Sequence, residues 1–318
     1  MEPNSSNRLE YKHIEHSTRE ALKYIDGRRK GTIRSLKTKW KKFNDTTGGG
    51  FAPNTVTTVC GISGSGKSSF VNSLENDLFD LNPQEDFVVL NLNFEMPSYF
   101  QIGRKLSYRT RRTTSQLYSG LTDEKPVSDE EFNTLIEHGQ KIRQYPIYYV
   151  DSPGTVEQIR NTIEHFRMTV AKGKWLVIIL DHSLLVKGKP GEKEREILAD
   201  LQRLFMEVKK WGRVSIIQLS QLNRNIESPE RINNSSLHYP VRSDLFGSDS
   251  LFHTSDILIV LHRPEILGLQ TYGSSNLNTT NNIFAHLLKV REGESGVIIP
   301  FKNDLKHNSM KEISINEL

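Results

Sequence analysis

Six short runs of β-branched and aliphatic residues recur along the chain, at 56–60, 87–92, 146–150, 175–180, 213–219 and 257–261. Each run is apolar nearly throughout rather than alternating. That pattern predicts strands buried on both faces, as in a parallel sheet. Between the runs the apolar positions fall at helical spacing. Ser128-Asp-Glu-Glu131 forms a capping box before Phe132, Leu135 and Ile136, and Thr155-Val-Glu-Gln158 forms another before Ile159, Ile163, Phe166 and Val170. Glu194 to Trp211 carries Ile197, Leu201, Leu204, Phe205 and Val208 on one face and stops at Gly212. His16 to Tyr24 reads as a short helix. Strand and helix alternating in this way predict an α/β fold with right-handed crossovers. Residues 283–301 read as two strands around Glu292-Gly293-Glu294, a hairpin, and the Asn/Ser/Thr-rich stretch Gly273 to Asn282 reads as an exposed loop. The expected division is a disordered tail over 1–15, a basic linker helix and lead-in over 16–50, a core over 51–305 and a C-terminal tail over 306–318. No internal repeat is visible.

Composition narrows the class. The chain has 318 residues, 36% hydrophobic and 25% charged, as in soluble globular proteins. Its longest purely apolar run, Trp175 to Leu180, is too short to cross a membrane, and the first residues lack the features of a secretory signal. The single cysteine, Cys60, excludes an internal disulfide and argues against a thiolate zinc site; it reads as a small core residue in a reducing cytoplasm. A net charge of +4 makes no case for nucleic-acid binding, which would have to come from local patches. One such patch lies in residues 16–42, with Arg28, Arg29, Lys30, Arg34, Lys37, Lys39, Lys41 and Lys42. It is either a solvated face or a contact with nucleic acid or a neighbouring subunit.

The motifs then change the picture. Gly61-Ile62-Ser63-Gly64-Ser65-Gly66-Lys67-Ser68 fits G-x-x-x-x-G-K-[ST] between a strand, Val56 to Cys60, and a helix opening at Ser69. Glycines let successive N–H groups point at phosphate oxygens, and the following helix adds its positive end. Lys67 would reach the β- and γ-phosphates and Ser68 would hold Mg²⁺. Asp181 ends an apolar strand, Trp175 to Leu180, and reads as the second metal-site residue rather than a turn cap. Glu95, in Asn91-Leu-Asn-Phe-Glu95-Met-Pro97, is either a base that orients water or a helix-start acid before Pro97. Gln221, after the strand 213–219, either senses a γ-phosphate or is a surface amide. Lys289 and Arg291 share a strand face, so they either pair with Glu292 or Glu294 or enter a neighbouring subunit's nucleotide site. Basic residues after the Asp181 and Gln221 strands, among them Lys187, Lys189, Arg224, Arg231 and Arg242, are either solvated or contact a nucleic-acid backbone.

Taken together, these segments resemble the ATPase domain of DnaB-type replicative helicases from about residue 17 to about 305. The phosphate loop, Asn93-Phe-Glu95-Met-Pro97 with Arg104 beyond it, Tyr148-Tyr-Val-Asp-Ser-Pro153, Leu219-Ser-Gln221-Leu-Asn-Arg224, Pro240-Val-Arg-Ser-Asp244-Leu and Lys289-Val-Arg291-Glu-Gly-Glu-Ser-Gly296 follow the family's order. The resemblance implies a RecA-like P-loop NTPase fold, α/β, with a mainly parallel twisted sheet flanked by helices and a C-terminal hairpin. It implies ATP and Mg²⁺ as ligands, Glu95 as general base, and Lys289 and Arg291 as cations acting in trans within a homo-hexameric ring. It further implies single-stranded DNA as partner, held by Lys187, Lys189, Arg224, Arg242, Gly247 and Ser248, with primase or a helicase loader as further partners. A bacterial or phage-infected cytoplasm is the expected location.

Three departures stand out. No stretch matches the family's large N-terminal helical domain. His182 replaces an aromatic after Asp181, and Phe246-Gly-Ser-Asp249 replaces a segment that meets DNA. A RecA-like recombinase or recombination mediator, and an oligomeric loader that binds ATP without being a motor, are the competing readings.

Overall fold

The computed structural model describes residues 10–120 and 126–318. The chain divides into two compact units, residues 1–35 and 36–318. In the first, helix α1 (Ile14–Arg29) is longer than the sequence suggested and starts at His13, whose side chain accepts from the Glu15 N–H. Intrahelical pairs of Arg19 with Glu15, and of Arg29 and Lys30 with Asp26, line it, while Ile14, Leu22 and Ile25 are exposed. Of the expected disordered tail, residues 1–9 fall outside the described residues.

The second unit opens on α2 (Lys41–Thr46) and continues β1 (Thr55–Cys60), α3 (Lys67–Leu81), β2 (Phe87–Asn93), α4 (Ser98–Thr110), α5 (Thr114–Leu117), α6 (Asp129–Ile142) and β3 (Ile147–Val150). Then come α7 (Val156–Met168), β4 (Trp175–Asp181), α8 (Glu194–Val208), β5 (Val214–Ser220), α9 (Pro229–Ile232), α10 (Ser248–Thr254) and β6 (Ile257–His262). A short pair, β7 (Thr271–Tyr272) and β8 (Leu277–Asn278), precedes β9 (Asn282–Val290), β10 (Val297–Asp304) and β11 (Ser309–Glu312). Nine strands form one sheet in the order β11-β10-β9-β6-β1-β5-β4-β2-β3. β6, β1, β5, β4, β2 and β3 are parallel, and β9, β10 and β11 continue the sheet antiparallel beyond β6.

The continuous apolar runs are explained by two cores. In β4, Trp175, Val177 and Ile179 face the core that holds Phe70 and Leu74 of α3, while Leu176, Ile178 and Leu180 face Ile159 and Ile163 of α7 and Leu201 and Phe205 of α8. A strand covered by helices on both faces cannot alternate with polar residues. Both expected capping boxes, at Ser128 and Thr155, are present, and Gly212 ends the α8 region with a positive φ of 85°.

Three expectations need correction. The expected basic lead-in over 16–50 is split: Leu36, Trp40 and Phe43 are buried in the main core, and the Trp40 ring stacks on Phe70 at 4.4 Å. The lysines around them mask aromatic anchors. The expected tail over 306–318 carries β11, which pairs with β10 and buries Met310. The expected loop over 273–282 contains β8 and buries Leu277, Thr279 and Asn282. No helix among the described residues is long and apolar enough to cross a membrane.

Candidate nucleotide site and basic loops

β1 ends at the middle of the sheet, between β5 and β6, and Gly61 to Ser68 turn from it into α3. This is where a doubly wound sheet opens a crevice beyond its strand ends. Gly66, the N-cap of α3, has φ 99°, and a Cβ there would meet Leu305 at 2.9 Å. A Cβ on Gly61 would meet Ser65 Oγ at 2.2 Å and the Leu261 carbonyl at 2.7 Å. The loop is thus packed tightly against Ser65, the Leu261 carbonyl and Leu305, which leaves room only for glycine at these positions and favours converging N–H groups. Lys67 Nζ donates to the carbonyls of Gly61 at 2.9 Å and Ile62 at 3.0 Å, so the ammonium lies across the loop. Burial lowers its pKa, opposed by the charges around it, Glu95 and Asp181 among them.

The cavity above the loop has a volume of about 510 Å³. Ser63, Gly64, Gly66, Lys67, Ser68 and Ser69 form its floor, and Glu95, Arg104, His182 and Gln221 stand around it. The parallel register aligns Asn93 of β2 with Asp181 of β4, and the Phe94 N–H donates to the Asp181 carbonyl at 2.7 Å. That bond sets Glu95 beside the acid of the neighbouring strand. Asp181 is buried and its Oδ1 has no hydrogen-bond partner. Burial, then the nearby Glu95 charge, push its pKa up to about 7. A buried, unpartnered carboxylate oxygen fits a hard divalent cation. Cys60 is a core thiol, pushed up to about 12 by burial.

Two residues of this cavity, Arg104 and His182, were named from sequence without a role in the site. Arg104, on α4, has a buried Nη1 without a partner, a donor placed for an anion. Its only sequence signal was its place after the Glu95 segment. His182 accepts the Leu184 N–H at Nδ1 (3.2 Å), and burial lowers its pKa to about 4, so the ring is neutral. A core ion pair, Lys105 Nζ to Glu75 Oε2 at 2.5 Å, also escaped the sequence; Asn91 donates to the other oxygen of Glu75 at 2.9 Å.

Lys289 and Arg291 are not in this cavity. β9 runs antiparallel to β6, with Val290 opposite Ile257, so both cations lie at the sheet end away from the phosphate loop. The expected partners, Glu292 and Glu294, are replaced by Asp256, which Arg291 meets at 2.9 Å and Lys209 at 2.8 Å. Lys289 Nζ donates to the carbonyls of Phe252 at 2.6 Å and His253 at 3.3 Å.

The basic loop residues divide. Lys187, Lys189 and Arg224 are exposed on segments that leave the C-terminal ends of β4 and β5. Arg242 pairs with Asp249 at 2.6 Å. Gly247 is the left-handed N-cap of α10, and the Ser248 side chain lies outside what the structure describes. Arg231 serves the fold instead: it pairs with buried Asp244 and donates to the Tyr239 carbonyl at 2.7 Å.

Residues 35–308 match the family model described as the DnaB-like helicase C-terminal domain. The chain is 27% identical over 175 residues to "Replicative DNA helicase DnaB" of Mycobacterium leprae, covering 54% of this chain and 27% of that one. It is 23% identical over 273 residues to "Replicative DNA helicase DnaC" of Bacillus subtilis, covering 85% of this chain and 55% of that one. It therefore spans only about a quarter to a half of these relatives. Among solved structures, one isolated ATPase domain superposes with a TM-score of 0.77 at 17% identity, covering 96% of this chain and 100% of that one. A DnaB-like replicative helicase, solved in a study of its interactions with primase, superposes with a TM-score of 0.73 at 18% identity, covering 96% of this chain and 69% of that one. These likenesses establish the RecA-like α/β fold.

Proposed function

This chain belongs to the family of DnaB-like helicase C-terminal domains, and from that premise we propose that it is the ATP-driven motor of a ring-forming DNA helicase that moves on single-stranded DNA in replication. One observation carries this reading. The phosphate loop, Glu95, Arg104 and Gln221 converge on one cavity, with Asp181 buried near Glu95 and Lys67, while the hairpin cations stand at the other end of the sheet, from which a second copy would bring them to a nucleotide.

In this reading the loop N–H groups and Lys67 bind the β- and γ-phosphates of ATP, and Arg104 meets the γ-phosphate from α4. Ser68 and Asp181 hold Mg²⁺, which when bound neutralises phosphate charge. Glu95 orients the attacking water and Gln221 senses the γ-phosphate. Lys289 and Arg291 of the adjacent subunit complete the site. Lys187, Lys189, Arg224, Arg242 and the Gly247-Ser248 backbone grip DNA phosphates. A head-to-tail contact that closes gives a ring, for which six subunits is the family expectation. Primase and a loader remain the proposed further partners. Replacing Lys67 with Ala should abolish DNA-stimulated ATP hydrolysis; survival of that activity refutes the assignment.

A further inference from the structure

The loop that carries Arg242 and the strand that carries Lys289 meet on one aromatic ring. The Arg242 guanidinium lies 4.5 Å from the centroid of Phe252, and Lys289 Nζ lies 5.0 Å from the same centroid. Two of the three N–H groups of Lys289 go to the carbonyls of Phe252 and His253, near the end of α10. One is left for a phosphate. Burial, then the charge of Arg291, with Lys209 and Arg242 adding to it, lower the Lys289 pKa, while Asp256 opposes them. Arg242 is itself drawn the other way, to Asp249 at 2.6 Å with His253 Nε2 at 3.4 Å. That pair is open to water, Asp249 being 79% exposed. An exposed pair of this kind is weak, and a phosphate diester competes with it readily.

We propose that Phe252 is a positioning residue for Lys289, and that Arg242 competes for the same ring until DNA phosphate draws it away. The inference rests on the reading that Lys289 acts in trans. A lysine fixed by two carbonyls and a ring face arrives at the neighbouring nucleotide already ordered, which lowers the entropy lost in the transition state. Arg242 on the same ring repels it. Withdrawal of Arg242 to DNA removes that repulsion, so DNA binding at Arg242 firms the trans cation. The sign follows from the two like charges, and coupling of this kind is reciprocal.

The test uses the full chain and an oligo-dT probe, with kcat and KM for ATP measured separately. Phe252→Leu should lower the DNA-saturated kcat about two- to fivefold, the ordinary strength of an exposed cation–π contact, with KM for ATP unchanged. Phe252→Tyr, which keeps the ring, should restore it. Arg242→Gln should weaken DNA binding yet raise the DNA-free kcat, and the double variant with Phe252→Leu should lose that gain; a merely structural role moves neither. The proposal is overturned if Phe252→Leu keeps wild-type kcat, if Phe252→Tyr behaves like Phe252→Leu, or if Arg242→Gln leaves the DNA-free rate where it was. Lys289→Ala separates the layers. Full activity in that variant removes the trans reading itself, whereas loss of activity there with wild-type behaviour in Phe252→Leu removes this inference alone.

Discussion

Two inactive variants should rescue each other when mixed. Lys67→Ala lacks a working phosphate loop but keeps the hairpin cations. A Lys289→Ala, Arg291→Ala double variant keeps the loop but lacks the cations. β1 ends at Cys60, opposite Val260, whereas Lys289 is opposite Leu258 and Arg291 bonds Asp256. At ~3.3 Å per residue they lie roughly 7 and 13 Å below the end of β1 and two strand spacings, about 10 Å, to its side, with their charged ends turned to Phe252, His253 and Asp256. No lysine or arginine side chain held that way spans those distances, so a chain cannot serve its own nucleotide. Loss of an arginine acting in trans costs about 10³–10⁵ in rate, on the order of 4–7 kcal/mol of barrier, so the double variant alone should be nearly silent. In rings assembled from an equal mixture, about one head-to-tail interface in four pairs an intact loop with intact cations. Recovery should therefore approach a quarter of the wild-type rate. The assay is DNA-stimulated phosphate release against mixing ratio, with ring mass measured alongside. Mixed rings that form at full mass yet show no recovery would refute the reasoning, as would a double variant that hydrolyses ATP at the wild-type rate.

Three further outcomes test the fold that holds this site. Lys105→Met leaves the buried Glu75 carboxylate without its cation and should destabilise by about 3–5 kcal/mol in urea titration, with Glu75→Gln added on top restoring part of it. Trp40→Ala opens a cavity among Phe43, Phe70 and Phe301 and should cost about 3–5 kcal/mol; a loss below about 1 kcal/mol would return residues 36–50 to the status of a surface segment. Burial depresses His286 to about 3, so between there and its ordinary value of 6.5 the unfolded chain binds a proton that the native state does not. Native stability should then be fully present above 6.5 and fall as pH drops toward 3, by up to about 5 kcal/mol, and His286→Gln should flatten that part of a melting-temperature profile.

The strands were legible because β4 and its neighbours are buried on both faces, so burial wrote itself into the sequence as unbroken apolar runs. The phosphate loop was legible because its backbone tolerates so few residue types. β11 was not: it is an edge strand of four residues, Ser-Met-Lys-Glu, in which only Ser309 and Met310 are buried, so it carries no apolar run. Leu36, Trp40 and Phe43 stand among Lys37, Lys39, Lys41 and Lys42, and the charges outweighed the three anchors in any reading by composition. Partnerships across the fold are less legible still. Arg291 has acids one and three residues away, yet it pairs with Asp256, the residue just before the neighbouring strand β6, where the antiparallel register brings them together.

The walls of the nucleotide cavity differ in how they are held, and the difference bears on how hydrolysis is felt elsewhere. On one side, Lys105 of α4 is bonded to Glu75 of α3, Asn91 of β2 is bonded to the same carboxylate, and Asn72 of α3 donates to the Arg104 carbonyl at 3.3 Å. α3, which continues from the phosphate loop, β2 and the Arg104 backbone are thereby tied into one block with a buried ionic core, which is costly to rearrange. On the other side, Gln221 leads directly into Leu222, bridged to Leu245, and Asn223, whose N–H donates to the Asp244 carbonyl at 2.7 Å. The Gln221 wall is thus continuous in hydrogen bonds with the segment bearing Arg242. A γ-phosphate that is lost changes the contacts of both walls, and the second leads along the chain to an exposed basic segment. On the proposed reading, movement should reach the basic loops through Gln221 while the α3–β2–α4 block around Glu75 stays fixed.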